Sequence, residues 1–375
     1  KSSLVFNTQF PHSTCPSMAT STTLSSQSYV FDPRPNYPLL LTAKRYWDPA
    51  SRPDPDAATL ICGHAAGFHK EHYEPMVQDM YALPGGRQRI REVWAVDAPN
   101  HGEAAVLNEE MLQWGYEPSF GWQDYGRALH AFVAGLGTGV DVDFSKRRLV
   151  FVGHSWSAVA FTLALTYQPP IKPDALVLLE TMCVKNEPTR AMKNFLAGGA
   201  EKRRDIWASK EDAYKMFKSR PSWQKWDDRV LKLYAVSEDP VLFMSLKLKG
   251  SKEYGLRSLP TLEYPDKHSG VTLTCSKRQE AAVYRDVMGS SIVYRTMKSI
   301  VKDIPVHVIW GAADDYIPRS DKDELIQSAM GGERNLASLN RVPGAGHLIA
   351  QTHPRECAQL LVDVVLKPKM EKARL

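Results

Sequence analysis

The 375 residues are 43% hydrophobic, enough to bury a sizeable core in one large domain or two small ones, which excludes an intrinsically disordered chain. Lys plus Arg outnumber Asp plus Glu by 47 to 42, a net charge of +5 with no long basic run, so nucleic acid is not an expected partner. Five scattered cysteines without a C-x-x-C pair point away from a disulfide framework or a zinc site and toward a reducing, intracellular compartment; the absence of any 18-residue apolar run or signal-peptide start predicts neither a membrane span nor export.

Residues 1–28 are rich in Ser and Thr without periodicity and read as a flexible extension, within which Met18 is a candidate biological start. The core is expected to begin at residue 29. Leu39 to Trp47 suits an antiparallel edge strand, and Ala58 to Cys62 a short, fully buried one. The second runs into Gly63-His64-Ala65-Ala66-Gly67 before a helical stretch from His69 to Leu83. His69 and His72 lack the H-E-x-x-H order, so a surface helix face is expected there rather than a metal site. Arg91 to Val96 is the next strand, and polar residues from Asp97 to Gly102 gather at its carboxyl end, where open parallel sheets place their ligands. His101 is expected to tie down its turn. Trp122 to Gly135 is helical, with Tyr125, Leu129, Phe132 and Val133 on one face.

Leu149 to Val152 is an apolar strand that stops at Gly153, and a helical run begins after His154-Ser155-Trp156-Ser157. A serine at so sharp a strand-to-helix turn needs small residues two places before and after it, because the backbone crowds its neighbours there. Gly153 and Ser157 satisfy that need, so Ser155 is the candidate nucleophile and the Trp156 amide a candidate oxyanion donor. The second donor is expected in the turn after Cys62, at Ala66. Ala175 to Leu179 is a further strand ending at Glu180. Residues 181–304 then change character, with helical segments rich in Lys, Arg and Trp, and read as a cap. Between Thr181 and Ile300 there are 23 Lys plus Arg against 14 Asp plus Glu, so the cap is basic and the remainder acidic. Trp207, Phe217, Trp223 and Trp226 are candidates for covering an apolar or aromatic substrate. Strand alternation resumes over residues 305–375, with Ile304 to Trp310 leading to Gly311-Ala-Ala-Asp314, Ala337 to Val342 leading to Pro343-Gly-Ala-Gly-His347, and a last helix from Arg355 to Leu366.

Chain order is therefore Ser155, the acids Glu180 and Asp314, then His347, each at the carboxyl end of a predicted strand. This is the Ser, acid, His order of the α/β-hydrolase fold, a mostly parallel sheet with helices on both faces and here a helical cap insert. A serine hydroxyl needs a base, and the base needs a carboxylate to fix its tautomer. Asp314, after the penultimate strand, is narrowly preferred as the acid over Glu180, with Asp315 a solvated neighbour.

With these residues placed, the chain resembles the fungal peroxisomal α/β-hydrolases of secondary metabolism, a group that includes a mycophenolic-acid acyl-CoA hydrolase, host-selective toxin biosynthesis hydrolases and a yeast peroxisomal lipase. The likeness runs from about Leu39 to Leu366 and is carried by His64 to Pro75, Trp122 to Gly126, Gly153-His-Ser-Trp156 and Gly344-Ala-Gly-His347-Leu. Two positions depart from the pattern: Ala65 stands where the family has glycine, and Asp314 is an acid where some members have none. The resemblance implies ester or thioester hydrolysis without metal or organic cofactor, and a triad acid at Glu180. Ala373-Arg374-Leu375 resembles a C-terminal peroxisomal address, which would engage an import receptor; a cytoplasmic location is the alternative. The expected substrate is a small-molecule ester or acyl-CoA with a sizeable apolar acyl part. Acyl transfer or carbon–carbon bond hydrolysis on the same fold, and acyl-ligand binding without turnover, are the rival readings.

Overall fold

The computed structural model describes residues 24–183, 185, 190–236, 254–286 and 288–367, with the backbone alone described for 190–194. The tripeptide Ala373–Leu375 and residues 1–23 lie outside the described residues. Eight strands make the central sheet: β1 (Ser25–Phe31), β2 (Leu41–Trp47), β3 (Ala58–Gly63), β4 (Ile90–Val96), β5 (Arg148–His154) and β6 (Ala175–Leu179) come first. After an insert holding the short strands β7 (Ile206–Trp207), β8 (Leu256–Ser258) and β9 (Val271–Leu273), β10 (Val306–Gly311) and β11 (Ser338–Val342) complete it. The spatial order is β1-β2-β4-β3-β5-β6-β10-β11. β1 and β2 are antiparallel additions, and β4 through β11 run parallel.

Inner parallel strands are covered on both faces, so they are largely apolar. All six residues of β3 and all five of β6 are buried accordingly. The helices Trp122–Val133, Trp156–Ala164 and Gly289–Asp303 pack on one face around Phe151, Phe161, Met297 and Trp310. Glu74–Ala82 and Pro354–Leu366 cover the other, around Met76, Val152, Leu179 and Leu361.

From β3 the chain moves outward to β4, then crosses over to β5 on the opposite side of β3. Loops leaving β3 and β5 therefore diverge, and the crevice between them at the carboxyl edge is where open sheets bind ligands. That crevice receives the turn after Gly63 and the turn at Ser155. Both candidate donor loops thus meet at one switch point.

Four features differ from the sequence-based expectation. Residues 25–28, expected in the flexible extension, belong to β1, where Ser25 pairs with Trp47 and Ser28 with Lys44; polar side chains suit an edge strand whose outer face meets water. The helix expected from His69 is a 3-10 turn, Lys70–Tyr73, followed by an α-helix from Glu74, because Pro75 fits only the first turn of a helix. His69 and His72 are buried rather than on a surface face, since Trp226 and Tyr234 of the insert pack over them. The insert itself is not purely helical: β7, β9 and β8 form an antiparallel sheet beside the helices Lys210–Lys218 and Asp228–Ala235. Its own core gathers Trp207, Phe217, Trp226, Leu231 and Leu273.

Candidate active site

Ser155 follows β5 with φ 61 and ψ −120, a conformation L residues avoid. Neighbours enforce it. A Cβ on Gly153 would lie 2.4 Å from the Ala158 Cα, so only glycine lets the helix Trp156–Ala164 turn back so closely. Ser157 does more than stay small: its hydroxyl donates to the Gly63 carbonyl at 2.6 Å and accepts the His154 N–H at 2.8 Å, tying the elbow to the end of β3. Tyr73 donates to the same carbonyl at 2.6 Å.

His347 Nε2 lies 3.0 Å from Ser155 Oγ, and His347 Nδ1 lies 3.3 Å from Glu180 Oε2. Ser155 and Glu180 are buried, and His347 is 8% exposed. Asp314 is elsewhere: it is exposed at the start of the loop after β10 and accepts the Arg319 main-chain N–H at 2.9 Å. The parallel pairing of β6 with β10 brings Glu180 and Gly311 side by side, so the acid beside the histidine leaves β6 directly. Glu180 has φ 44, and it and Ser155 are the non-glycine residues with positive φ among those described.

Burial alone would push the Glu180 carboxyl up, but its hydrogen bonds to His347 and Lys322, with their charges, hold it below the usual carboxylate range. The His347 main chain is gripped on both sides. Its N–H donates to Asp315 Oδ2 at 2.7 Å, and its carbonyl accepts from His154 Nε2 at 2.8 Å. Burial pushes His154 down to about 4, so it stays a neutral donor. Asp315, expected to be a mere solvated neighbour, is exposed yet holds the histidine loop. Nothing in the local pattern distinguishes it from Asp314; only the fold of the loop does.

Ala66 and Trp156 sit in the two turns of the switch point, both bordering the cavity that Ser155 opens into. Among the described residues neither main-chain N–H donates to a protein acceptor. The turn carrying Ala66 is braced from β4: Gly67 N–H donates to His101 Nε2 at 2.9 Å, and Ala98 N–H to His64 Nε2 at 3.0 Å. Burial pushes His64 down to about 3 and His101 well below its ordinary value, which keeps both rings neutral and able to accept. Lys70 adds a buried pair to Asp97 at 2.7 Å. The polar residues after β4 thus position the neighbouring loop.

The cavity measures about 390 Å³, within the range of small-molecule sites. Ala66, Ser155 and His347 line it from the core; Trp223, Trp226 and Tyr234 line it from the insert. Trp207 and Phe217, also candidates for contacting substrate, are buried in the insert's own core instead. Among the described residues no group of His, Cys, Asp or Glu is arranged to hold a metal ion. No helix among them is long and apolar enough to cross a membrane.

The model of the family described as Alpha/beta hydrolase family matches residues 60–360. The type I acyl-CoA thioesterase mpaH of Penicillium roqueforti is 26% identical over 232 residues, 61% of this chain and 47% of that protein. Its namesake from Penicillium brevicompactum is 27% identical over the same length and shares. The chain therefore spans about half the length of the curated relatives it matches. Among solved structures, the peroxisomal alpha-beta-hydrolase Lpx1 of Saccharomyces cerevisiae is similar with a TM-score of 0.65 at 18% identity, over 94% of this chain and 93% of that one. A thioesterase domain from the curacin biosynthetic pathway gives 0.58 at 14% identity, over 92% and 100%.

Proposed function

The chain belongs to the alpha/beta hydrolase family, and from that premise we propose that it is a serine hydrolase that cleaves a carboxylic ester or acyl-CoA thioester through an acyl-enzyme. The observation that carries this reading is the hydrogen-bonded series from Ser155 through His347 to Glu180. Ser155 Oγ attacks the substrate carbonyl carbon while His347 Nε2 takes the hydroxyl proton, and Glu180 stabilises the imidazolium that forms. The amides of Ala66 and Trp156 hold the oxyanion of the tetrahedral intermediate. As the intermediate collapses, the carbon–oxygen or carbon–sulfur bond to the leaving group breaks, and His347 returns its proton to that group. Water, deprotonated by the same imidazole, then releases the acid and restores Ser155.

The aromatic wall of the cavity favours a sizeable apolar acyl part, and residues 181–304 act as the cap that shapes it. The surplus of Lys and Arg in that segment supports a phosphorylated leaving group such as CoA. The thioesterase activity named for the Penicillium relatives agrees with it. A role in fungal secondary metabolism belongs to the same proposal and rests on the motif resemblance, and a peroxisomal location on Ala373-Arg374-Leu375, in keeping with the peroxisomal yeast hydrolase. A fluorescent fusion should co-localise with a peroxisomal marker; a diffuse signal would place the protein in the cytoplasm.

Turnover of acyl-CoA thioesters and p-nitrophenyl esters tests the reading. Ser155→Ala should abolish both hydrolysis and labelling by a fluorophosphonate. Glu180→Gln should lower kcat by up to about 10⁴-fold, as when a triad acid is neutralised. Asp314→Asn should leave kcat within a few-fold of wild type. Activity surviving Ser155→Ala overturns the mechanism, and a larger loss with Asp314→Asn than with Glu180→Gln reassigns the acid.

A further inference from the structure

Lys322 belongs to the short helix Arg319–Glu324 beyond β10, yet its side chain is only 2% exposed. Its Nζ donates to Glu180 Oε1 at 2.8 Å and reaches the Gly311 carbonyl at 3.3 Å, with the Trp310 ring 5.1 Å away. Among the described residues Glu180 is its one carboxylate partner. Oε1 also accepts the Gly311 N–H, which leaves Oε2 as the oxygen that faces His347. The carboxylate is therefore shared between a fixed buried cation and the imidazole. A buried ammonium is costly unless it is paired, and the Trp310 ring and one carbonyl do not balance its charge.

We propose that Lys322 is a positioning residue that fixes which Glu180 oxygen serves His347 and sets the pH below which the Ser155–His347 couple stops working. The proposal rests on Glu180 being the acid of the reading above. With Lys322 charged, the carboxylate attracts an imidazolium less strongly. Without that charge Glu180 stabilises the imidazolium more, which moves the acid limb of activity to higher pH. Of the other groups facing this unit, His154 is pushed down to about 4 and the Cys357 thiol up, both by burial. Asp315 meets the His347 main chain rather than its ring, and the Tyr316 ring lies 5.4 Å from the imidazole.

The test is the pH profile of kcat/KM for wild type, Lys322→Met, Lys322→Gln and Lys322→Arg. Removal of the charge should shift the acid limb up by about one pH unit, and Lys322→Arg should restore it toward wild type. A folded Met or Gln variant with reduced activity but an unmoved limb overturns the proposal. Should Lys322→Met fold poorly, the double variant Lys322→Met/Glu180→Gln should unfold at a higher temperature than Lys322→Met alone, because no unpaired buried charge is left; no recovery overturns the pairing. Glu180→Gln alone separates the two readings. If it remains active, the assignment of the acid fails; if it is inactive while the limb is unmoved in the Lys322 variants, only the role of Lys322 fails.

Discussion

Ser155 and Glu180 share a positive φ, which costs an L residue about 1–3 kcal/mol, and both contact the same imidazole. Strain of this kind persists only where surrounding structure enforces it. Glycine at 155 would adopt the same φ and ψ freely, whereas alanine would not. Ser155→Gly should therefore be more stable than Ser155→Ala by about 1 kcal/mol despite the added entropy of its unfolded chain, read from urea midpoints; equal midpoints would mean the elbow is unstrained. At this scale the sequence was most legible at Ser155 and His347, where small flanking residues announce a backbone need. It was least legible for the acid. Glu180 and Asp314 both end a strand, and what separates them is the β6–β10 pairing and a positive φ, neither of which has a local signature. Lys322 was unreadable for a related reason, since a lysine in a charged helix looks solvent-facing until that helix docks.

Among elements, the crossing of β5 with the helix Trp156–Ala164 is a tight one that bears on the site. The atoms a Cβ on Gly153 would strike are main chain, so they can move aside only if the helix does. Gly153→Ala should cost about 1–3 kcal/mol and lower the thermal midpoint, with activity falling further than stability because Ser155 moves with the helix. A normal midpoint would show that the elbow can open. Apolar strands such as β3 and β6 were legible because burial on both faces leaves a continuous run. β1 was not, since its serines resemble linker, and β7, β8 and β9 are two or three residues long, too short for any period to show.

For the molecule as a whole, buried histidines set the acid side of stability. Burial pushes His64 down to about 3 and His154 and His307 down to about 4, from an ordinary 6.5. The unfolded chain binds these protons first, so their contribution is complete above about pH 6.5 and is lost as pH falls toward 4. The urea midpoint should drop between about pH 7.5 and 5 with uptake of up to five protons on unfolding, one each at His64, His154, His307 and the likewise depressed His72 and His101, a dependence that His307→Gln should reduce. Charge at the same scale bears on the leaving group. Between roughly 0.01 and 1 M salt the screening length falls from about 30 to 3 Å, so KM for an acyl-CoA should rise several-fold while KM for a neutral ester stays level. Matching responses would remove the argument for a phosphorylated substrate.

The Ser155–His347 contact joins positions 192 apart in the chain, and the Glu180–His347 contact joins positions 167 apart. Loop closures of that span come late, after local structure has formed. A growing polypeptide that has completed the elbow and β6 still lacks His347, the proposed base, which arrives only when the segment after β11 docks on the sheet. Nascent chains stalled before residue 347 should consequently be inert toward serine-directed probes even where their first six strands have folded, so that reactivity at Ser155 reports completion of the molecule.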